Sequence, residues 1–198
     1  MAKSDFPQMP GAKSGPVRVS LRADPSARSH LMVAEAPGLA AVARVLDALS
    51  DSRAPTEVLW LGETPAALAG RVDLRAFGDM AALAEALRKW LATSGMGLRL
   101  YLAGRETFVW EAALPARAAG LREDEIQREA CSALERRVYC VHCRHVLEAV
   151  ALNPVACPNC GMVLAVRDHF SRVLAAYLGV CANAAAPGEL PETQAPFA

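Results

Sequence analysis

The chain has 198 residues, 53% of them hydrophobic and 21% charged, and its 21 Lys plus Arg are balanced by 21 Asp plus Glu. That is enough apolar material for one ordinary domain, or for one of about 110 residues with a small appendage. The zero net charge disfavours DNA or RNA as a partner, because phosphate binding draws on a basic excess.

No apolar run approaches the roughly 18 to 20 residues that span a bilayer, so no membrane partner is expected. Met1 to Ser29 lacks the apolar centre of a secretory signal, and the expected location is the cytoplasm. Six cysteines in such a chain are read for metal before disulfides, because the cytosol keeps thiols reduced.

Residues 1–28 hold Pro7, Pro10, Gly11, Gly15, Pro16 and Pro25. They read as an extended arm, disordered alone or laid along a partner, in which only 17–21 alternates like a strand. From 29 to 136 the pattern changes to an α/β layer. His30-Leu-Met-Val-Ala34 is an apolar run of buried-strand type, and Leu39 to Leu49 has helical spacing. Glu57 to Leu61 is a second strand, and Val72 to Phe77 a third, nearer the sheet edge. A helix is expected over Asp79 to Leu91, with Asp79 as N-cap. Gly97 to Ala103 is a fourth strand, Glu106 to Ala119 a helix stopped by Gly120, and Arg122 to Arg136 contains a further helical stretch. This order predicts a mainly parallel sheet, whose ligand crevice lies beyond the carboxyl ends of its strands. Those ends fall near Glu35 to Gly38, Gly62 to Thr64, and Gly104 to Thr107.

Residues 137–181 carry the strongest signal. Cys140-x2-Cys143 and Cys157-x2-Cys160 flank a thirteen-residue hairpin, the spacing of a four-thiolate ribbon in which two tight knuckles close a tetrahedron. Pro158 fixes one knuckle, and Gly161 tolerates the close backbone approach to sulfur. Four sulfurs fill the coordination sphere, which makes a zinc ion here structural. Iron in a rubredoxin-like site is the rival, against which Cys140-Val-His-Cys-Arg144 lacks the expected glycine and aromatic setting. The other alternative is four free or oxidised cysteines. His142 and His145 read as surface residues. Cys131 and Cys181 stand alone and read as small buried hydrophobes. After the ribbon a strand is expected over Met162 to Val166, then a helix capped by Asp168 that runs through Ser171 to Leu178 and stops at Gly179. Residues 182–198, rich in Ala, Pro and Glu, form a tail.

Two resemblances attach to these residues. His30-Leu-Met-Val-Ala-Glu-Ala-Pro-Gly-Leu39, Leu100-Tyr-Leu-Ala-Gly104 and Gly120-Leu-Arg-Glu-Asp-Glu-Ile126 resemble the nicotinamide-nucleotide domain of ferredoxin reductases, with Ala34, Glu35 and Ala36 where those enzymes have glycines and Ala103 in place of a loop cysteine. The resemblance implies NADPH contacts at Gly38, Gly104 and Arg105, although Glu35 would present phosphates with the wrong sign. The ribbon, Val166-Arg-Asp-His-Phe-Ser-Arg172 and Ala175-Ala-Tyr-Leu-Gly-Val180 resemble the DmmA-type subunit of bacterial dimethylamine monooxygenase. That family implies a haem-containing oxygenase partner and a reductase partner carrying flavin and an iron–sulfur cluster. Together they oxidise dimethylamine with NADPH and dioxygen to methylamine and formaldehyde. This chain shows no flavin-barrel motif, spare cysteine set or haem ligand, so those cofactors are expected on other chains. A stand-alone zinc-ribbon interaction scaffold and an iron electron carrier are the competing functions.

Overall fold

The computed structural model describes residues 19–132, 134–184 and 187–195. Residues 17–18 of the expected N-terminal strand, and most of the arm, lie outside them; Val19 to Leu21 is irregular.

The first layer is a five-stranded parallel sheet of β1 (Ser29–Glu35), β2 (Thr56–Leu61), β3 (Asp73–Phe77), β4 (Leu98–Arg105) and β5 (Ile126–Ser132), in the order β3-β2-β1-β4-β5. Helices α1 (Leu39–Ala48), α2 (Met80–Thr93) and α3 (Glu106–Ala118) cover it. Both sheet faces are buried, which explains why the inner strands read as unbroken apolar runs. Leu31 and Val33 of β1 face a core with Leu83, Leu87, Phe108 and Ala112. Met32 and Ala34, pointing the other way, meet Ala41, Val42 and Val45 of α1. Asp79 caps α2 as expected, its carboxylate accepting from the Ala82 amide at 2.8 Å, and β3 is an edge strand.

The end of the arm lies on the chain's own body. Leu21 is buried in the α1-side core, its amide donates to Glu129 at 2.7 Å, and the Gln127 side chain bonds both the amide and the carbonyl of Arg22. Deeper in, Arg99 grips Asp24 at 2.8 and 2.5 Å. The Asp24 amide donates to the Tyr101 hydroxyl, which in turn contacts Nδ1 of the fully buried His30. Desolvation holds the His30 pKa below its ordinary value, so this histidine is a neutral part of the core.

The second layer is a sheet of β6 (Arg136–Cys140), β7 (Val146–Val150), β8 (Val155–Ala156), β9 (Val163–Ser171) and β10 (Ala176–Cys181), in the order β7-β6-β10-β9-β8. Two expectations fail here. The segment around Ile126 to Ser132 is not helical: it pairs in parallel with β4 as the sheet's edge, where half-polar residues are tolerated and pairing overrides the helix propensity of Gln, Arg, Glu and Ala. Nor does a helix follow the ribbon. Residues 163–181 form the antiparallel β9–β10 hairpin, and β10 also pairs in parallel with β6. Asp168 caps nothing; it binds Arg136 at 3.0 Å. Gly179 is not a helix stop but a close-packing residue, since a Cβ there would lie 2.8 Å from Val138 Cγ1.

Gly38 is similarly constrained. An added Cβ would sit 2.3 Å from the Ala103 carbonyl oxygen, whereas one at Gly78 would meet nothing within 4 Å. Gly38→Ala is therefore expected to lose about 1–3 kcal/mol of stability through overpacking against backbone, and Gly78→Ala to stay within about 0.5 kcal/mol. Denaturant unfolding of both variants checks this.

Candidate metal centre and crevice

The two knuckles are built alike. In the first, the Cys140 amide donates to the His145 carbonyl at 2.9 Å, and the Arg144 amide returns to the Cys140 carbonyl at 2.9 Å. In the second, Cys157 donates to Met162 at 2.8 Å and Gly161 to Cys157 at 2.9 Å. Each turn ends in a left-handed residue, Gly161 at φ 72° and Arg144 at φ 67°. Glycine adopts that conformation freely; arginine bears a steric cost there. Only the second knuckle announces its turn in sequence.

This pairing brings all four expected ligands together. The sulfurs of Cys140, Cys143, Cys157 and Cys160 lie within 4.8 Å of one another. Cys140 to Cys160 is 3.9 Å and Cys143 to Cys157 is 3.6 Å. A tetrahedron with metal–sulfur arms of about 2.3 Å has edges of about 3.8 Å, whereas a disulfide would need about 2.05 Å. The donor set therefore fits one tetrahedral ion. Cys140 and Cys157 are buried, while Cys143 and Cys160 are partly exposed. His142 and His145 are exposed, as expected. Cys131, expected to be buried, is exposed, and Cys181 is half-buried.

The sulfurs of the cluster shift Cys143 and Cys160 in opposite directions. Hydrogen bonds from the Asn159 side chain and the His145 backbone hold the Cys143 thiol down at about 6. Cys160 receives a backbone bond from Met162, yet burial and three neighbouring sulfurs push it up to about 12. One thiolate forms readily and the next is opposed by it. A divalent cation reverses that opposition, so metal affinity rises with pH as thiol protons are displaced.

A cluster of Val138, Leu147, Val150, Leu164, Val166, Phe170 and Tyr177 supports the ribbon, and Trp110 of α3 belongs to it. Phe170 lies 4.7 Å from the Trp110 ring and 4.9 Å from Tyr177. The buried Glu106 accepts the Tyr177 hydroxyl at 2.8 Å. Burial and that carboxylate raise the Tyr177 pKa well above the ordinary phenol range, so the phenol stays a donor. The first turn of α3 thus anchors the ribbon sheet to the α/β layer.

At the carboxyl edge of the parallel sheet, Gly38 packs against Ala103, while Gly104 and Arg105 meet at a residue of the chain itself. The Glu35 carboxylate, on a side chain 6% exposed, accepts the Arg105 backbone amide at 2.7 Å and its guanidinium at 3.0 and 2.9 Å. A Cβ on Gly104 would lie 2.6 Å from Glu35 Cγ, so that glycine makes room for Glu35. The bonds to Glu35 raise the Arg105 pKa further. An anion seat at the start of α3 is present, and Glu35 fills it.

The family described as dimethylamine monooxygenase subunit DmmA-like matches this chain twice, its N-terminal domain over residues 10–126 and its C-terminal domain over 137–180. A relative in Ectopseudomonas mendocina (strain ymp), the heme-dependent oxidative N-demethylase delta subunit, is 37% identical over 82% of this chain and 85% of its own. Among solved structures, the FAD apo form of the ferredoxin reductase of carbazole 1,9a-dioxygenase aligns with 55% of this chain at 18% identity and a TM-score of 0.44. The siderophore-interacting protein of Acinetobacter baumannii aligns with 54% at 8% identity and 0.43. The chain spans 34% of that reductase's length and 46% of the siderophore protein's.

Because the ribbon is too small to hold itself by burial, Cys157→Ser is expected to open it while sparing the parallel sheet. Hydrogen exchange should show amides of residues 136–181 losing protection, because removing a ligand removes the metal's contribution to folding, with those of β1 and β4 unchanged. Acidification should release the ion from the wild-type chain as protons compete with it for the thiolates, and metal content after gel filtration at stepped pH reads this.

Proposed function

This chain belongs to the DmmA-like family of dimethylamine monooxygenase subunits, and we propose that it is the non-haem, non-flavin subunit of a multi-subunit, NADPH-dependent amine monooxygenase. Its role is assembly rather than chemistry. The overall reaction joins dimethylamine, dioxygen, NADPH and a proton to give methylamine, formaldehyde, NADP+ and water. Haem sits on an oxygenase subunit, and flavin and an iron–sulfur cluster on a reductase subunit. The ion of the ribbon is zinc, held by Cys140, Cys143, Cys157 and Cys160; when bound it supplies cross-linking and no open coordination position.

One observation carries the assembly role. The place where an α/β layer of this kind would receive a phosphate is taken by the Glu35 carboxylate on the Arg105 amide. A pyrophosphate would have to displace a charge-assisted bidentate pair, which is among the stronger contacts a protein makes. NADPH is therefore bound by the reductase subunit. Gly38, Gly104 and Arg105 are the residues through which this chain would border it, and Glu35 stands in their way. No described helix is long and apolar enough to cross a membrane.

Titration of the assembled enzyme with NADPH tests this reading. Glu35→Gln and Arg105→Ala should each leave nucleotide affinity within about twofold of wild type, because only uniform structural effects reach the site. A change of about tenfold or more in either variant would place the crevice inside the nucleotide pocket and contradict the assembly reading.

A further inference from the structure

We infer that Arg128 and Arg172 form a carboxylate-binding site, filled in the assembled enzyme by an acidic side chain of a partner subunit. The inference rests on the subunit role proposed above. Arg128 lies on β5, the edge strand of the parallel sheet, and lines a cavity of about 270 Å³ with Val19, Trp110, Ile126, Gln127 and Arg172. Four parts of the chain meet there: the end of the arm, β5, α3 and the turn between β9 and β10.

The Arg128 side chain is only 13% exposed. Its Nη1 donates to Glu123 at 3.0 Å, and one flat face of its guanidinium lies 4.9 Å from the centroid of the Trp110 ring. Its Nε and Nη2, both buried, have no hydrogen-bond partner among the described residues. These two nitrogens form the side-on edge of a guanidinium, the fork that matches the two oxygens of a carboxylate. The same edge is engaged at two other arginines of this chain. Arg99 gives Nε and Nη2 to Asp24, and Arg105 gives them to Glu35. Among the described residues no acid engages that edge of Arg128.

The surrounding charge has the same sense. Glu123 is shared by Arg117 at 3.2 Å and Arg128 at 3.0 Å, so two guanidinium groups divide one carboxylate, and Arg172 adds a third cation to the cavity that Glu123 and Arg128 line. Desolvation, and the proximity of Arg117 and Arg172, depress the Arg128 pKa. Buried charged donors left unpaired are costly; because these two nitrogens expose almost no surface, the incoming carboxylate must displace the side chains that cover them, after which it satisfies both donors and neutralises the excess. The walls offered by Val19, Trp110 and Ile126 are apolar, which suits an acidic side chain carried on a protein surface. A small, fully hydrated anion would gain less from them.

The test uses the full chain co-expressed with its partner subunits, with dissociation constants measured at low and high salt. Arg172→Glu, on an exposed turn, and Arg128→Lys, which keeps the charge and removes the fork, are first checked for wild-type melting temperature and metal content. Each should weaken assembly by about tenfold or more, as expected for truncation at a buried charge pair. Salt should weaken the wild-type complex more steeply than the Arg172→Glu complex. Equal assembly by wild type and both variants would overturn this inference while leaving the subunit role intact; failure of the wild-type chain to assemble would remove the subunit role itself. In the free chain, acetate should leave the Arg128 Nε–H resonance nearly unmoved. A saturable shift with acetate, with assembly unchanged in both variants, would make the site one for free carboxylates and overturn the partner assignment.

Discussion

Four cysteine sulfurs gathered within 4.8 Å of one another are the constraint on which the C-terminal half depends. The ribbon's own apolar shell is thin, with Cys140 and Cys157 themselves counted among its buried residues, and a layer of this size gains too little from burial to offset its chain entropy. A metal bound by this donor set would supply that deficit, because its binding energy is folding energy where no preformed site exists in the unfolded chain. From the cluster, order extends outward. The knuckles fix the ends of β6 and β8, β10 joins β6 to β9, and the Phe170, Tyr177 and Trp110 rings bind the whole to α3.

The α/β layer carries the opposite design. It keeps the strand order and helix-capped edge of a nucleotide-binding sheet, yet its own acids occupy the polar positions at the start of α3. Glu35 holds the Arg105 amide and side chain, and Glu106 holds Tyr177. One acid closes the crevice and the other fastens the ribbon, so a helix terminus that could receive a ligand anion serves as a structural joint. The arm is treated likewise, with Asp24, Arg99, Tyr101 and His30 forming a chain of polar contacts under it.

Much of this was legible from residues alone. The inner strands β1, β2 and β4 announced themselves because both faces of a parallel sheet are covered, and Asp79 marked the start of α2. The clustering of Cys140, Cys143, Cys157 and Cys160 followed from spacing. The β5 strand was hidden because Gln127, Arg128 and Glu129 favour helix locally and become strand only by pairing with β4. The β9–β10 hairpin was obscured by Asp168. Leu164, Val166 and Phe170 alternate into the core, but the charge between them, explained by Arg136 across the sheet, broke the pattern. Glu35 was visible as a wrong-signed residue in a phosphate turn; its partner Arg105 lies 70 residues away, and only the fold brings the two together. Nothing local marks Arg128 as short of an acid, since that depends on what packs around it.

The central claim is that one ion is bound by sulfur alone. X-ray absorption at the metal edge of the purified, reduced full-length chain reads this directly. The account predicts zinc with a single shell of four sulfurs at about 2.3 Å. A shell containing nitrogen or oxygen, as His142 or His145 would give, or a chain that binds no metal at all, would contradict it.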